Sequence, residues 1–334
     1  MPVEQKPIDL NKPLDVDAAP TLSKTQLTPD LTKAAIVLQG DKFKQTQAKL
    51  TKYILWHPIA ISLYTLIVPI VFSRSLWDFI EVSDNVAEFF TLALRNKKDF
   101  VFGVISTLPV LAGIFACFGF LAFLLSDELG SVSSKFVERK HCDVIFGFDV
   151  RQFANAATGA VNKDSELVIY RDSPIAIGTV RPDSDNSTAD EFKVVISGIH
   201  IRKVFAKVDF DKMLLEWAVL RSRELYSEFL AKKKSKNQSK TGQIQITVDA
   251  YSFDKHFERM LTSSGFTLLS RSSILDPFDS KLSRWQEFLH KFLGISRDTF
   301  GLTLTTENDD VELLKENDLL DTEPIDTKKK KKKN

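Results

Sequence analysis

The chain is poor in cysteine, with two, Cys117 and Cys142, among 334 residues. A disulfide framework is excluded, one pair at most can form, and free thiols are expected, as in a domain facing a reducing compartment. Charge of one sign is also missing. The formal charge is +1, from 45 Lys and Arg against 44 Asp and Glu, so no global basic field points to nucleic acid. The glycine patterns that cradle phosphates, GxGxxG and GxxxxGK followed by Ser or Thr, do not occur, nor do GxSxG and HExxH. His57, His141, His200, His256 and His290 are scattered, and only His141-Cys142 juxtaposes two metal-ligand types, too few for a zinc site. No catalytic, metal or cofactor residue is assigned. Met1 to Thr28 contains no apolar h-region, so no cleaved signal peptide is expected there.

The most informative absence is local. Tyr53 to Phe72 and Phe100 to Ser126 contain no Asp, Glu, Lys or Arg. At about 1.5 Å per residue the first reaches roughly 30 Å, the thickness of a bilayer core, and the second can span with tilt. Charges flank both: Lys49 and Lys52, Arg74, Lys97 and Lys98, then Asp127 and Glu128. The pattern predicts a two-helix transmembrane hairpin. Without Lys, Arg, Asp or Glu inside either span, nothing is present from which to build an ion pathway. Lys42, Lys44, Lys49, Lys52, Lys135, Arg139 and Lys140 lie on the side shared by both chain ends. Arg74, Arg95, Lys97 and Lys98 in the connecting loop are offset by five acids, so the bias predicts cytosolic termini. That loop carries Trp77, Phe79, Ile80, Phe89 and Phe90, which fit either an interfacial amphipathic helix or a packed turn. His57-Pro58 suits a first helical turn, and Pro69 and Pro109 mark possible kinks. Ala112, Ala116 and Gly119 form a small-residue stripe that lets another helix approach closely. Its partner is either the first span of the same chain or a transmembrane helix of a client protein.

After Asp127 the composition turns mixed and charged. Strands are expected at 143–150, 166–172, 175–181, 191–205, 243–248, 266–272 and 299–305, with helices near 152–160, 209–232, 252–263 and 281–293. This is a mixed α/β domain. Two N-x-S/T triplets begin at Asn186 and Asn237 and would report topology. The order of long strand, long helix, strand, then a short helix ending in Ser264-Gly265-Phe266 resembles the GCN5-related N-acyltransferase (GNAT) fold, whose membrane-bound branch places an apolar anchor before the domain. The resemblance implies a glycine turn leading into the long helix, where backbone N–H groups meet the acetyl-CoA pyrophosphate. Here that turn runs from Ala206 to Asp211, and Asp209 and Asp211 occupy both glycine positions. Like charges about 4 Å apart cost on the order of 1–4 kcal/mol near a surface. The acid tyrosine of the family falls near Leu261, which cannot donate a proton. The acyl-CoA turn is therefore read as degenerate, and a membrane-anchored N-acyltransferase stands as the alternative function.

From Glu307 the chain is acidic, and it ends in Lys328 to Lys333 and Asn334, a composition expected to be disordered. Lys331 and Lys332, fourth and third from the end, match the dilysine retrieval signal read by the COPI coat. The other reading is a polybasic segment attracted to anionic membrane lipids. Leu27-Thr28-Pro29-Asp30-Leu31, Ala34-Ala35, Leu38, Gly40-Asp41-Lys42-Phe43 and His57-Pro58, with the hairpin, the α/β domain and the lysine-rich end, resemble the fungal endoplasmic-reticulum chaperone family that packages the inorganic phosphate transporter. The resemblance implies a non-enzymatic escort resident in the endoplasmic-reticulum membrane. Its client would be a multi-pass phosphate transporter, helped into COPII vesicles. The expected organisation is a disordered stretch over 1–27, amphipathic pre-membrane helices over 28–52, and the hairpin over 53–126. A cytosolic GNAT-like α/β domain over 127–305 and a tail over 306–334 complete it.

Overall fold

A computed structural model describes residues 22–138, 141–156, 159–171, 173–188, 191–233, 242–278 and 281–305. The tail with Lys331 and Lys332, the triplet at Asn237 and residues 1–21 lie outside them.

Seven strands form one sheet in the order β1-β2-β3-β4-β5-β7-β6. They are β1 (Leu22–Leu27), β2 (Asn162–Tyr170), β3 (Ser173–Pro182), β4 (Glu191–Ile201), β5 (Gln243–Tyr251), β6 (Thr267–Ser272) and β7 (Arg297–Thr305). Among the described strands only β4 and β5 pair in parallel. Their crossover is α8 (Phe210–Lys233), and α9 (Lys255–Ser263) follows β5. A parallel pair needs such a long connection, whereas β2–β3 closes as a tight antiparallel hairpin. The mixed α/β class is as expected.

The sheet is covered on both faces. On one, α8 and α9 bury Leu214, Ala218 and Leu261 against Val168, Ala176, Val194 and Ile246. On the other lie α1 (Thr32–Leu55) and α5 (Lys97–Val137), packed with Leu167, Ile169, Ile177 and Tyr251. Successive strand residues go to opposite faces, so Leu167 and Val168 belong to different cores.

The domain therefore begins well before Asp127. Residues 22–27, expected to lack structure, form an edge strand paired with β2. The region expected to hold pre-membrane helices is one continuous helix, α1, whose Ala35, Leu38, Phe43 and Leu50 are core. The hairpin is inserted between two helices of the domain. α1 stops at Leu55, and α2 (Pro58–Ser75) starts after Trp56-His57, with Pro58 in its first turn and His57 Nδ1 accepting from the Ile59 amide at 3.4 Å. The first apolar helix thus begins at Pro58 rather than Tyr53. Two short helices, α3 (Trp77–Val82) and α4 (Val86–Arg95), make the far turn. Phe79 and Phe89 bring their rings to 5.7 and 6.2 Å from Phe100, while Trp77, Val86 and Leu94 stay exposed.

α5 does not end at Asp127-Glu128. It runs on as one 41-residue helix, and Ala122, Leu125, Leu129, Val132 and Phe136, spaced three and four apart, enter the domain core. Ser133 Oγ donates to the Gly40 carbonyl at 2.9 Å and Thr51 Oγ1 to Ser126 Oγ at 3.1 Å, tying α5 to α1. Glu128 Oε1 accepts from the Leu275 and Asp276 amides at 3.0 and 2.7 Å, so the acid that marked a membrane margin is a domain contact. The strand expected over 143–150 is instead α6 (Cys142–Phe146) followed by α7 (Val150–Ala154). His141 and Gly147, both in the left-handed region, bracket that single turn, and Asp149 Oδ1 caps α7 by accepting from Arg151 and Gln152. The remaining expected strands and helices are present, except that the helix expected near 152–160 overlaps α7 only over 152–154 and β4 ends at Ile201 rather than at 205.

Candidate functional site

Two places could carry function: the outer surface of the hairpin and the carboxyl ends of the two parallel strands.

α2 and α5 are both long and apolar enough to cross a membrane. They touch along one edge. Ser75 Oγ donates to the Gly103 carbonyl at 3.2 Å and shares a 3.0 Å hydrogen bond with Ser106 Oγ. A Cβ on Gly103 would lie 3.0 Å from Leu76 Cδ2. Tyr64 packs edge-on against Phe118 at 4.6 Å and near Phe115 at 5.3 Å. At about 100° per residue, Ala112, Ala116 and Gly119 fall on the opposite side of α5 from Gly103, Thr107 and Phe118. Ala112 and Ala116 are exposed, and a Cβ on Gly119 would meet nothing within 4 Å. The stripe is not the seat of the chain's own first span, one of the two partners the sequence left open. Around it Phe102, Ile105, Leu108 and Phe120 are exposed, Phe102 at 75 %.

At the other place, β4 and β5 pair from Glu191↔Gln243 to Ile196↔Val248 and no further. Beyond that, β4 keeps only β3 and β5 keeps only β7. A gap at the carboxyl ends of parallel strands is where open α/β sheets commonly place ligands. Here α1 lies across it. The Gln39 side chain is wholly buried, donates to Thr179 Oγ1 at 3.4 Å, and sits where a Cβ on Gly198 would be. Gln45 Nε2 faces His200 Nε2 at 3.5 Å, and Lys49 Nζ pairs with Asp254, just beyond β5. Burial, helped by the positive charges of Lys42, Lys49 and Arg202, holds the His200 imidazole down at about 3. Desolvation lowers the Lys42 ammonium to about 8 against the pull of Asp249 and Asp254. Sequence reasoning counted Lys42 and Lys49 as flanking positive charges and missed their use inside the domain. The signal was there: Lys42 lies one turn from Leu38 and beside Phe43, both buried.

Asp209 is exposed and Asp211 partly so, at the entry to α8. Asp211 Oδ1 accepts from the Lys212 amide at 2.9 Å, and Oδ2 lies 3.5 Å from His256 Nδ1. The amides of Phe210 and Met213 already donate to the carbonyls of Val208 and Asp209. These donors of the first turn are spoken for within the chain, and a carboxylate stands where phosphate would approach. Leu261 is wholly buried in the core. Among the described residues neither Cys117 nor Cys142 forms a disulfide, and Cys142 Sγ donates to the Phe136 carbonyl at 3.4 Å. Among the described residues, no group of three or more His, Cys, Asp or Glu could hold a metal.

The solved structures that match part of the chain include two complexes. One is the NatC complex bound to Gag peptide and CoA, with 9 % identity, 42 % of this chain, 70 % of that chain and a TM-score of 0.27. The other is Arabidopsis thaliana NAA60 in complex with a bisubstrate analogue, with 12 % identity, 49 % of this chain, 87 % of that chain and a TM-score of 0.28. No curated protein sequence matches the chain. The family model of the inorganic phosphate transporter chaperone Pho86, in contrast, matches residues 4–304. With nearly the whole length covered, from β1 through the apolar hairpin to β7, the chain belongs to the Pho86 family of inorganic phosphate transporter chaperones.

Proposed function

We propose that the chain is a non-enzymatic escort of the endoplasmic-reticulum membrane that shields helices of a multi-pass phosphate transporter until the client leaves in COPII vesicles. The observation that carries this reading is the outward stripe of Ala112, Ala116 and Gly119, in a family of phosphate transporter chaperones. Small residues let a second helix approach to close backbone contact. The client face stays rigid because α5 is one helix from that stripe to the domain core at Phe136. Both termini are assigned to the cytosol, as the lysine bias favours, and Lys331 and Lys332 would return the escort through the COPI coat.

Absence of catalysis is part of the proposal. Self-satisfied amides at the start of α8, carboxylates at Asp209 and Asp211, and α1 lying over the β4–β5 gap all support it. The test is co-purification from mild detergent. Replacing Ala112, Ala116 and Gly119 together by Leu should leave the escort folded and in the membrane while the phosphate transporter no longer co-purifies. Unchanged co-purification would refute the assignment of the client face. Acetyl-CoA titrated calorimetrically into the purified chain should give no binding heat; saturable binding would instead support the acyltransferase reading.

A further inference from the structure

α10 (Arg284–Phe292) lies between β6 and β7 in the chain, and its surface divides into three sectors. Leu289 packs on the domain core and His290 is buried, its ring nitrogens facing the carbonyl oxygens of Ser273 and Leu125 at 3.1 and 3.2 Å. Arg284, Glu287 and Lys291 make a charged sector, with Lys291 Nζ on Glu287 Oε1 at 2.7 Å. The third sector is apolar and open: Trp285, Phe288 and Phe292 recur at i, i+3 and i+7 and are 47, 66 and 57 % exposed. Phe288 and Phe292 stack at 6.2 Å. A helix serving only the domain needs no second apolar sector beside its buried one.

Position supplies the explanation. Gln286 Nε2 donates to the Leu124 carbonyl at 3.3 Å, and His290 faces that of Leu125. These carbonyls belong to the turn where α5 passes from exposed Phe120 and Phe123 to buried Ala122 and Leu125. At its other end, Tyr53 Oη donates to the Leu293 carbonyl at 3.1 Å, one turn before the exposed Trp56 and the start of α2. α10 is thus fastened to α5 and to the end of α1 one turn before α2 begins, at the level where each apolar helix leaves the domain. Its open sector continues their exposed surface.

We propose that α10 is a third membrane-contacting element, an interfacial helix lying in the headgroup layer of the leaflet nearest the α/β domain. Trp285, Phe288 and Phe292 enter the acyl boundary, and Arg284 and Lys291 stay at the phosphates. An aromatic belt of this kind sits where one side of a ring is apolar and the other wet. The inference rests on the hairpin crossing the bilayer, and it fixes the domain's tilt against the membrane through three attachments instead of two.

The experiment uses full-length protein in nanodiscs of phosphatidylcholine with some phosphatidylserine, brominated at shallow or deep acyl positions and free of client. With Trp56, Trp77 and Trp217 replaced by Phe, Trp285 emission should be quenched roughly twofold more by shallow than by deep bromines. A variant keeping only Trp217 should be unaffected. Quenching of Trp285 no greater than that of Trp217 would overturn the proposal and leave the sector to a protein partner. Leu66→Trp, placed in a background with all four native tryptophans replaced by Phe, reads the hairpin separately. If deep bromines quench that reporter while Trp285 is untouched, the hairpin reading stands and the interfacial helix is wrong.

Discussion

Gly198→Ala probes the seat of the hairpin in the domain. Gly198 is buried on β4, and a Cβ there would sit 2.3 Å from Gln39 Nε2 and 2.5 Å from Gln39 Oε1. Gln39 itself is wholly buried on α1, its Oε1 has no hydrogen-bond partner among the described residues, and its only side-chain hydrogen bond is the 3.4 Å contact with Thr179. The added methyl cannot be accommodated by a small rotation, because the amide end is enclosed. Either α1 lifts from the sheet or Gln39 leaves its rotamer. Overpacking of this kind costs about 1–3 kcal/mol, and a loss near 2 kcal/mol would lower the melting temperature by roughly 4–8 °C for a domain of this size. Gln39→Ala removes the obstacle. Alone it should cost about 1 kcal/mol or less, the worth of one long hydrogen bond. Combined with Gly198→Ala it should restore most of the lost stability, giving a coupling energy of about 1–2 kcal/mol in the double-mutant cycle. Thermal unfolding in detergent micelles followed by Trp217, which packs on Gly178 across the opposite face of the sheet, provides the readout. Additive effects of the two substitutions would mean that α1 does not lie on β4, and the rigid link between hairpin and domain would fall with it.

Glu166, 5 % exposed on β2, has its carboxyl pushed up to about 7 by burial, against the charge of Lys24. A folded pKa above the unfolded value makes the native state bind the extra proton, so this residue's contribution declines as pH rises from about 4.5 to 7. Glu166→Gln should therefore be neutral at pH 4.5 and stabilising by up to about 3 kcal/mol at pH 8, and a gain independent of pH would refute the assignment. His200 works in the opposite sense: its folded pKa lies below the unfolded one, so stability should fall as pH drops below about 6.5. Substituting His200 by Asn should flatten that limb in pH-dependent unfolding. Arg221, 8 % exposed at its side chain, binds Asp164, Glu224 and Glu228 at 2.9, 2.6 and 3.0 Å and ties α8 to β2. Arg221→Met should cost about 2 kcal/mol, below the range for a fully buried pair because the acids are partly solvated, and an unchanged denaturation midpoint would show the network to be idle. Lys331→Ser with Lys332→Ser should move the protein onward in the secretory route if these lysines are a retrieval signal. Unchanged residence would leave the polybasic reading.

The two uncharged runs and the alternation in β4 and β5 were legible because each depends on local composition and period. Where reading failed, the deciding feature was either a backbone turn that composition does not show or a partner distant in sequence. Cys142 to Val150 alternates well enough for a strand, but positive φ at His141 and Gly147 and the caps of Asp143 and Asp149 turn it into two short helices. Leu22 to Leu27 is polar enough to pass for a tail and becomes an edge strand only because β2 offers it a ladder. The acids at Asp127 and Glu128 looked like the end of a span, yet Glu128 is occupied by the Leu275 and Asp276 amides, nearly 150 residues away.

Composition by itself settled that the chain carries two helices long and apolar enough to cross a bilayer, a mixed α/β domain and no recognised catalytic motif. A run of residues without charge has a transfer free energy that no later neighbour needs to supply. Tertiary structure decided which surfaces remain free. It placed α1 over the carboxyl ends of β4 and β5, drew the end of α5 into the core, turned Ala112, Ala116 and Gly119 outward, and set α10 where both apolar helices leave the domain. Those outcomes depend on which faces lose water to one another, and that is fixed only when segments far apart in the chain pack together.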